Sequence, residues 1–301
     1  MKISFMQVCG KEIHVEGKWI RVAAVAEGYD FPEDPEAFVH ALKHCGTRLD
    51  LFTFIQPLSE TSPQYGYPME RDNLAAMRIT TYEHWFTEQI KGKTRNMLRK
   101  AEKLGVTVSE VPFDDSLIAS IATLNDESPF RQGRRYWHYG DDLATVRRKN
   151  ETFLDRSIFL EVCFNGEKIG YAKMVTDEER TQAGLMQILS MVRHRDKAPN
   201  NMLIAQAVRS CAQRGIPYLW YAKFSYGKKQ QDSLSDFKLH NGFQPIGVPR
   251  YYVPLTSLGR TALQLRLHHG LMLHVPWTVR KQALRFRNYW YGKTLRAETG
   301  K

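Results

Sequence analysis

Residues 189–201 have the sequence LSMVRHRDKAPNN and carry the chain from a predicted strand into a predicted helix. The strand is the apolar run at 183–192, and the helix begins at Pro199, because proline is favoured in a first helical turn. At such a junction, unpaired backbone N–H groups and the positive end of the helix dipole face outward. Three cations follow the strand: Arg193, Arg195 and Lys197. The junction therefore predicts a phosphate-binding turn.

The segments around this junction predict a mixed sheet. Two apolar runs, 157–164 and 168–175, are joined by Asn-Gly-Glu at 165–167, and Asn-Gly between apolar runs is a strong hairpin signal. After the helix, the aromatic run at 218–224 predicts another strand, and a polar helix is predicted at about 229–240. This order of elements indicates a mixed α/β fold.

The first half of the chain repeats part of this pattern. ALKHCGTRLDLFTF at 41–54 and AVRSCAQRGIPYLWYAKF at 207–224 both combine a helix, a cysteine, basic residues, a glycine and an aromatic strand. Two copies of one helix–strand unit suit a duplicated domain. We therefore expect an N-terminal half at 1–115, a C-terminal half at 116–259 and a tail at 260–301.

Composition is that of an ordinary globular protein, with 43% hydrophobic and 25% charged residues in 301. The four cysteines lie far apart without a CxxC pair, which argues against a zinc site or a disulfide framework. The N-terminus lacks the apolar core of a signal peptide, and no run is long enough to span a bilayer. We expect a cytoplasmic protein without a metal site.

The basic residues are concentrated in the tail. Residues 260–301 contain nine Lys and Arg and one acid, so they carry +8 of the net charge of +11. The interleaved aromatic and basic side chains fit a helix lying on an anionic membrane surface, which would make the protein peripheral to the membrane. They fit equally a helix docked on the body with its cations in water.

The order of elements from 157 to 256 resembles the core of GNAT-type acyltransferases. The resemblance implies a fold of α+β type, in which tandem GNAT-like halves form a mixed, mostly antiparallel sheet flanked by helices. It also implies an acyl-CoA, most simply acetyl-CoA, as co-substrate. Its phosphates would contact Arg193, Arg195, Lys197, Asn200 and Asn201. When the usual glycine-containing turn of the family is aligned on Arg193 and Ala198, Asp196 replaces the glycine, and its carboxylate would repel a pyrophosphate.

Two further segments resemble Fem-type enzymes, tandem GNAT-like proteins that attach amino acids to peptidoglycan precursors. They are KTRNMLRKAEKLGVTV at 93–108 and DSLSDFKLHNGF at 232–243. The second contains the Phe-Lys pair of the family, whose lysine is thought to lie near the reacting carbonyl. The resemblance thus assigns a catalytic role to Lys238 and covers about residues 15–256.

A third cluster, NDESPFRQGRRYWHYGDD at 125–142, mixes arginines, aromatic residues, a histidine and acids. In a GNAT-like order it forms the loop that commonly covers the acceptor site. The candidate proton acceptors are Glu127 and His138, with Asp126 and Tyr139 as alternatives, and Tyr226 is a further catalytic candidate. The candidate acceptor-binding residues are Arg131, Gln132, Arg134 and Tyr139. An Arg–acid network that merely holds a long loop is the competing interpretation.

These features predict transfer of an acyl group from acyl-CoA to an amine or hydroxyl of a small molecule or cell-envelope precursor. A positioned acid or histidine would accept the proton, and backbone N–H groups at a strand bulge would polarise the thioester. One alternative is aminoacyl transfer from a charged tRNA, with the basic tail contacting the RNA backbone. The other is a catalytically degenerate, GNAT-like binding module.

Overall fold

The structure is a computed structural model of the 301-residue chain, and it describes residues 4–131, 134–225 and 233–269. The strands are β1 (Ser4–Val8), β2 (Lys11–Glu16), β3 (Val22–Val25), β4 (Leu51–Ile55), β5 (Met69–Arg78), β6 (Thr107–Val111), β7 (Phe130–Arg131), β8 (Arg134–Arg135), β9 (Ser157–Phe164), β10 (Glu167–Thr176), β11 (Ala183–Ser190), β12 (Tyr218–Lys223) and β13 (Gln244–Pro254).

Eight α-helices accompany these strands in the described ranges. They are α1 (Pro35–Lys43), α2 (Tyr82–His84), α3 (Gly92–Lys103), α4 (Asp115–Asn125), α5 (Leu143–Asn150), α6 (Pro199–Arg214), α7 (Ser233–His240) and α8 (Ser257–Gln264). A π-helical turn (Trp85–Gln89) follows α2, and short 3₁₀ helices cover Leu154–Arg156, Val192–Lys197 and Leu267–His269. No helix in these ranges combines the length and the apolar run needed to cross a bilayer.

The chain divides into two compact units. The first contains the described parts of residues 1–25, 32–53 and 251–301, and the second contains 26–31 and the described parts of 54–250. The boundaries therefore fall inside β4 and β13. The halves at 1–115 and 116–259 and the tail at 260–301 were inferred from the internal repeat in the sequence. They stay a prediction.

In the first unit the strand order is β1-β2-β3-β4, with β3 and β4 parallel and the other pairs antiparallel. Helix α1 begins as its sequence predicts. The carboxylate of Asp34 accepts hydrogen bonds from the backbone N–H groups of Glu36 (2.9 Å) and Ala37 (3.0 Å), and Pro35 occupies the first turn. Phe38 of this helix stacks on Phe52 of β4 with ring centroids 6.0 Å apart.

In the second unit the strand order is β5-β12-β11-β10-β9-β6. The pair β11–β12 is parallel and the other pairs are antiparallel, so the predicted mixed, mostly antiparallel sheet is confirmed. The turn between β9 and β10 has positive φ at Asn165 (50°) and Gly166 (80°), as the Asn-Gly signal predicts. Apolar side chains of α4 and α6, among them Ile121, Leu203 and Val208, are fully buried in the core that these strands share.

One predicted helix is interrupted. The periodicity of residues 81–105 predicts a continuous helix, but the backbone of Ile90 and Lys91 is extended, and α3 begins only at Gly92. Ile90 is 3% exposed, so burial of this side chain accompanies the break. Trp85 in the preceding π-turn is also fully buried, and its indole N–H donates to the carbonyl of Asn241 (3.0 Å).

Candidate active site

Strands β11 and β12 separate soon after they meet. They pair only between Ala183 and Leu219 and between Gly184 and Trp220. Beyond these pairs β11 continues to Ser190 and β12 to Lys223, so the later backbone groups of each strand face an opening instead of its neighbour. This separation of two parallel strands locates the candidate reaction channel.

Both strands are bulged beside the opening. Lys173 of β10 pairs with Gln187 while Met174 pairs with Leu185, so Met186 is an extra residue in β11. The register of β12 against β5 also shifts between Trp220 and Lys223, where Ala222 has a φ of +51°. A bulge turns backbone groups away from the regular ladder, as expected for N–H groups that would polarise an acyl carbonyl.

Trp220 is the last residue of β12 that pairs with β11. This side chain is 7% exposed, and no other group in the described residues accepts a hydrogen bond from its indole nitrogen. A Cβ atom at Gly184 would lie 2.5 Å from the indole, and one at Gly28 would lie 2.4 Å from it. Glycine is therefore required at both positions for the indole to fit between them.

Gly184→Ala is expected to lower the free energy of unfolding by about 1–3 kcal/mol, because the added methyl overpacks a filled space. Chemical denaturation with intrinsic fluorescence measures this loss. Gly166→Ala is not a suitable control, since its φ is +80°. Gly92→Ala is suitable, because a Cβ atom there meets nothing within 4 Å. Equal stability of Gly184→Ala and wild type would show that the indole does not occupy this position.

Lys238 lies at the far end of β12. It is fully buried in α7, and its ammonium donates to the carbonyl of Lys223 and lies 4.9 Å from the ring centre of Tyr221. Both partners belong to the part of β12 that borders the opening. The structure thus places Lys238 beside the candidate channel, and its catalytic role stays a prediction.

The turn after β11 holds an anion that the protein itself provides. Glu127 accepts hydrogen bonds from the backbone N–H groups of Val192 (2.8 Å) and Arg193 (3.1 Å), the first residues of the 3₁₀ helix. Arg131 adds an ion pair at 3.1 Å, and the Glu127 side chain is only 10% exposed. A carboxylate at a helix N-terminus satisfies the donors that a phosphate would otherwise use.

The start of α6 also has few free donors. Pro199 has no N–H group, and the N–H of Asn201 bonds to the carbonyl of Ala198 (3.0 Å). The side chain of Asn201 is buried and donates to Asn241 (2.9 Å). The carboxamide oxygen of Asn200 is buried and has no partner among the described residues. Asn201 is therefore tied to Asn241, whereas the buried oxygen of Asn200 has no such bond.

The predicted cations of this turn are partly neutralised. Arg193 pairs with Glu167, to which His194 also bonds (2.9 Å). Partial burial opposes ionisation of Glu167, but the hydrogen bonds from His194 and Arg193 outweigh it and lower its pKa. Lys197 pairs with Asp196 at 2.8 Å. Of the three cations, only Arg195 makes no such pair within the described chain, so the turn is less electropositive than its sequence indicates.

The acceptor loop is fixed by Arg131. Its guanidinium donates to the carbonyls of Ser190 (2.9 Å) and Leu124 (2.8 Å) as well as to Glu127, and it lies 5.0 Å from the ring centre of Tyr136. These contacts join the loop after α4 to the end of β11. In the structure Glu127 and Arg131 therefore form the loop-holding network, and their predicted catalytic and acceptor-binding roles stay untested.

The remaining candidates are distributed around this loop. His138 is 40% exposed and contacts Asp141 (3.3 Å) and Lys149 (3.4 Å), and Tyr139 is 47% exposed. No contact within the described residues joins His138 or Glu127 to Lys238. Gln132 and Tyr226 lie outside the described residues, and so does the side chain of Arg134.

One buried charge near the bulge was not predicted from the sequence. Lys173 is fully buried, and its ammonium donates to the carbonyl of Asn150 (2.8 Å) and to the carbonyl and hydroxyl of Thr152. Burial lowers the pKa of Lys173 to about 8. The available sequence signal was a single lysine inside an apolar strand pattern. A lysine in such a pattern is expected to be buried, and a buried ammonium requires several hydrogen-bond acceptors.

Stability is expected to increase with pH above the folded-state pKa of Lys173. That pKa is about 8, below the ordinary value of 10.5, so between these values the unfolded chain binds more protons than the folded chain. We expect a gain of about 2 kcal/mol between about pH 7.5 and 9.5. Denaturation at each pH measures it, and Lys173→Met should lack the gain. Parallel pH profiles for the two proteins would contradict this assignment.

Comparison with known proteins supports the fold. Neither a protein-family model nor a curated protein matches the sequence. Among solved structures, the chain is similar to the C-terminal domain of a putative lysylphosphatidylglycerol synthetase from Agrobacterium fabrum (TM-score 0.56, 14% identity, 88% of each chain). It is also similar to L-PGS from Bacillus licheniformis (TM-score 0.56, 16% identity, 87% of this chain and 88% of the other).

The structure of FemX is similar as well, with a TM-score of 0.59 and 11% identity over 85% of this chain and 86% of the other. At these identities the similarity concerns the fold alone. It agrees with the resemblance to Fem-type and GNAT proteins that the sequence motifs indicate. The chain therefore has a GNAT-like α/β fold of the kind found in FemX.

Proposed function

We propose that the protein transfers an aminoacyl group from its tRNA ester to an amine or hydroxyl of a lipid or lipid-linked envelope precursor. The observation that carries the proposal is the occupied turn after β11. Two backbone N–H groups of this turn donate to the carboxylate of Glu127. Pro199 has no N–H group, and the N–H of Asn201 donates to a carbonyl within the turn. A coenzyme A pyrophosphate would therefore find few free N–H donors at this turn. The separation of β11 and β12, which would admit an acyl group, is still present.

The similar solved structures support the same donor class. One is described as a putative lysylphosphatidylglycerol synthetase, and another is FemX. Both the motifs at 93–108 and 232–243 and these structures point to aminoacyl transfer, whereas acyl-CoA transfer rests on the general GNAT resemblance. We therefore favour the aminoacyl alternative over acetyl transfer for this chain.

The proposed reaction is an acyl substitution at the ester carbonyl. The acceptor oxygen or nitrogen attacks the ester carbonyl carbon, the C–O bond to the tRNA ribose breaks, and the ribose oxygen takes a proton while the acceptor loses one. The ammonium of Lys238, at the end of β12, would stabilise the oxyanion that forms on the carbonyl. An exposed base such as His138 is available to accept the proton from the acceptor.

A transfer assay tests the proposal. The full chain is incubated with an envelope lipid extract and either radiolabelled aminoacyl-tRNA, as a mixture of all amino acids, or radiolabelled acetyl-CoA. We expect label in the organic phase from aminoacyl-tRNA and none from acetyl-CoA. Label transferred from acetyl-CoA instead would support acetyl transfer and overturn the proposal.

A further inference from the structure

Four large apolar side chains are exposed near the acceptor loop. Trp137 is 90% exposed, Leu143 57%, Val192 51% and Tyr139 47%. Burying one such side chain typically gains about 1.5–3 kcal/mol, so this concentration on one part of the surface is costly unless something covers it.

The segments that carry these four side chains meet around one cleft. Leu143 lines an open cleft of about 650 Å³ together with Asp126, Met191 and Arg193, and Val192 lies between the last two in sequence. The N–H of Gly140, next to Tyr139, donates to Asp126 (2.8 Å). We call Trp137, Tyr139, Leu143 and Val192 the apolar rim.

The backbone that carries the rim is held in place. The hydroxyl of Tyr136, which precedes Trp137, donates to the buried carboxamide of Asn125 (3.0 Å). Arg131 ties the same loop to the end of β11. The exposure of Trp137 is thus a property of a fixed turn.

Exposed arginines lie near the rim. Residues 129–150 have a net charge of +4, but Arg131, Arg147 and Lys149 pair with acids, and Asp126 and Glu127 line the cleft. Arg135 and Arg148 are exposed and make no ion pair within the described residues. Arg193 beside the cleft is 57% exposed and pairs with Glu167. Cations around protruding apolar side chains complement a surface that is anionic outside and apolar inside.

We propose that the apolar rim and its arginines contact an anionic lipid bilayer. Trp and Tyr favour the boundary between headgroups and acyl chains, where Leu143 and Val192 would enter the apolar layer. Arginines around them would contact lipid phosphates.

This surface would deepen the proposed function, because it places the acceptor loop against a membrane that contains the acceptor. Its role in turnover rests on that function, but binding to vesicles does not. Vesicle binding is therefore measured without donor or acceptor chemistry, so that failure of either proposal can be recognised separately.

Flotation with phosphatidylcholine vesicles containing about a quarter phosphatidylglycerol tests the contact. The full chain is compared with a Trp137→Ser/Leu143→Ser variant at low and high salt. We expect the double variant to bind at least about tenfold more weakly, because two inserting side chains are lost, and binding of the wild type to weaken with salt. Wild-type Trp fluorescence should shift to the blue on binding, and the variant should shift less.

Trp19→Ser is the matched control, because Trp19 is also exposed (81%) and lies in the other unit. We expect it to bind as the wild type does. Equal binding of the double variant and wild type, equal losses in both variants, or no wild-type binding would overturn the proposal. A self-associated wild type that the double variant reduces to monomer, without vesicle binding, would assign the rim to a protein interface and also overturn it.

Discussion

Arg131→Ala is expected to lower the free energy of unfolding by about 3 kcal/mol, the lower end of the cost of breaking a buried ion pair from one side, because this pair is only partly buried. The side chains of Arg131 and Glu127 are 15% and 10% exposed. Without the guanidinium, the carbonyls of Ser190 and Leu124 and the Glu127 carboxylate lose a donor at once. Urea denaturation measures the change.

Arg135→Ala is the control for Arg131→Ala, because Arg135 is an exposed arginine of the same loop. Its effect should stay within about 0.5 kcal/mol. Glu127→Ala should also destabilise, and the double Arg131→Ala/Glu127→Ala variant should lose less than the sum of the two, since the residues share one network. A loss below about 1 kcal/mol for Arg131→Ala would show that this network does not hold the loop.

Lys238→Met is expected to lower kcat by about a hundredfold or more while KM changes little, because an oxyanion contact is made in the transition state. Methionine keeps most of the volume of the buried side chain but removes the charge. Transfer of label from the donor identified in the assay above, under steady-state conditions, measures both constants.

The control for Lys238 is Lys223→Met. Lys223 belongs to the same strand end, but its side chain is 47% exposed and pairs with Asp72. It should keep kcat within about threefold of wild type. If Lys238→Met is destabilised but retains wild-type kcat in its folded fraction, Lys238 holds the end of β12 and takes no part in the chemistry.

The sequence predicts the second unit well because its local signals agree with one another. Asp114 caps α4, with its carboxylate accepting from the N–H of Leu117 (2.9 Å), and the Asn-Gly turn joins β9 to β10. The caps and the turn depend on residues close in sequence, which is why one sequence suffices for them. The mixed, mostly antiparallel sheet was implied by the GNAT-like order of elements.

The hairpin β1–β2 and helix α5 were not predicted. In β1 only Val8 is buried, so this strand lacks a strong apolar alternation. Helix α5 has only Val146 and Asn150 buried and contains three consecutive basic residues. Its N-terminal cap, Asp142, accepts from the N–H of Thr145 (2.7 Å), and this Asp-x-x-Thr spacing was the available signal.

The hydrogen bonding and charge of the turn after β11 depend on contacts between residues that are far apart in the sequence. Arg193, Arg195 and Lys197 predict an electropositive phosphate site, but Glu127 lies more than sixty positions earlier in the chain and occupies the N–H groups. Glu167 likewise reaches Arg193 from another strand end. Such pairs leave no local pattern, so the departure at Asp196 was the only sequence feature that indicated a modified turn.

Calorimetric titration of coenzyme A into the full chain tests most directly the claim that this turn is closed to a pyrophosphate. We expect no saturable binding up to about 1 mM, and weak binding gained by Glu127→Ala, which frees the N–H groups of Val192 and Arg193. Saturable wild-type binding at micromolar concentrations that is lost in Arg193→Ala/Lys197→Ala would contradict the claim and return acyl-CoA to the role of donor.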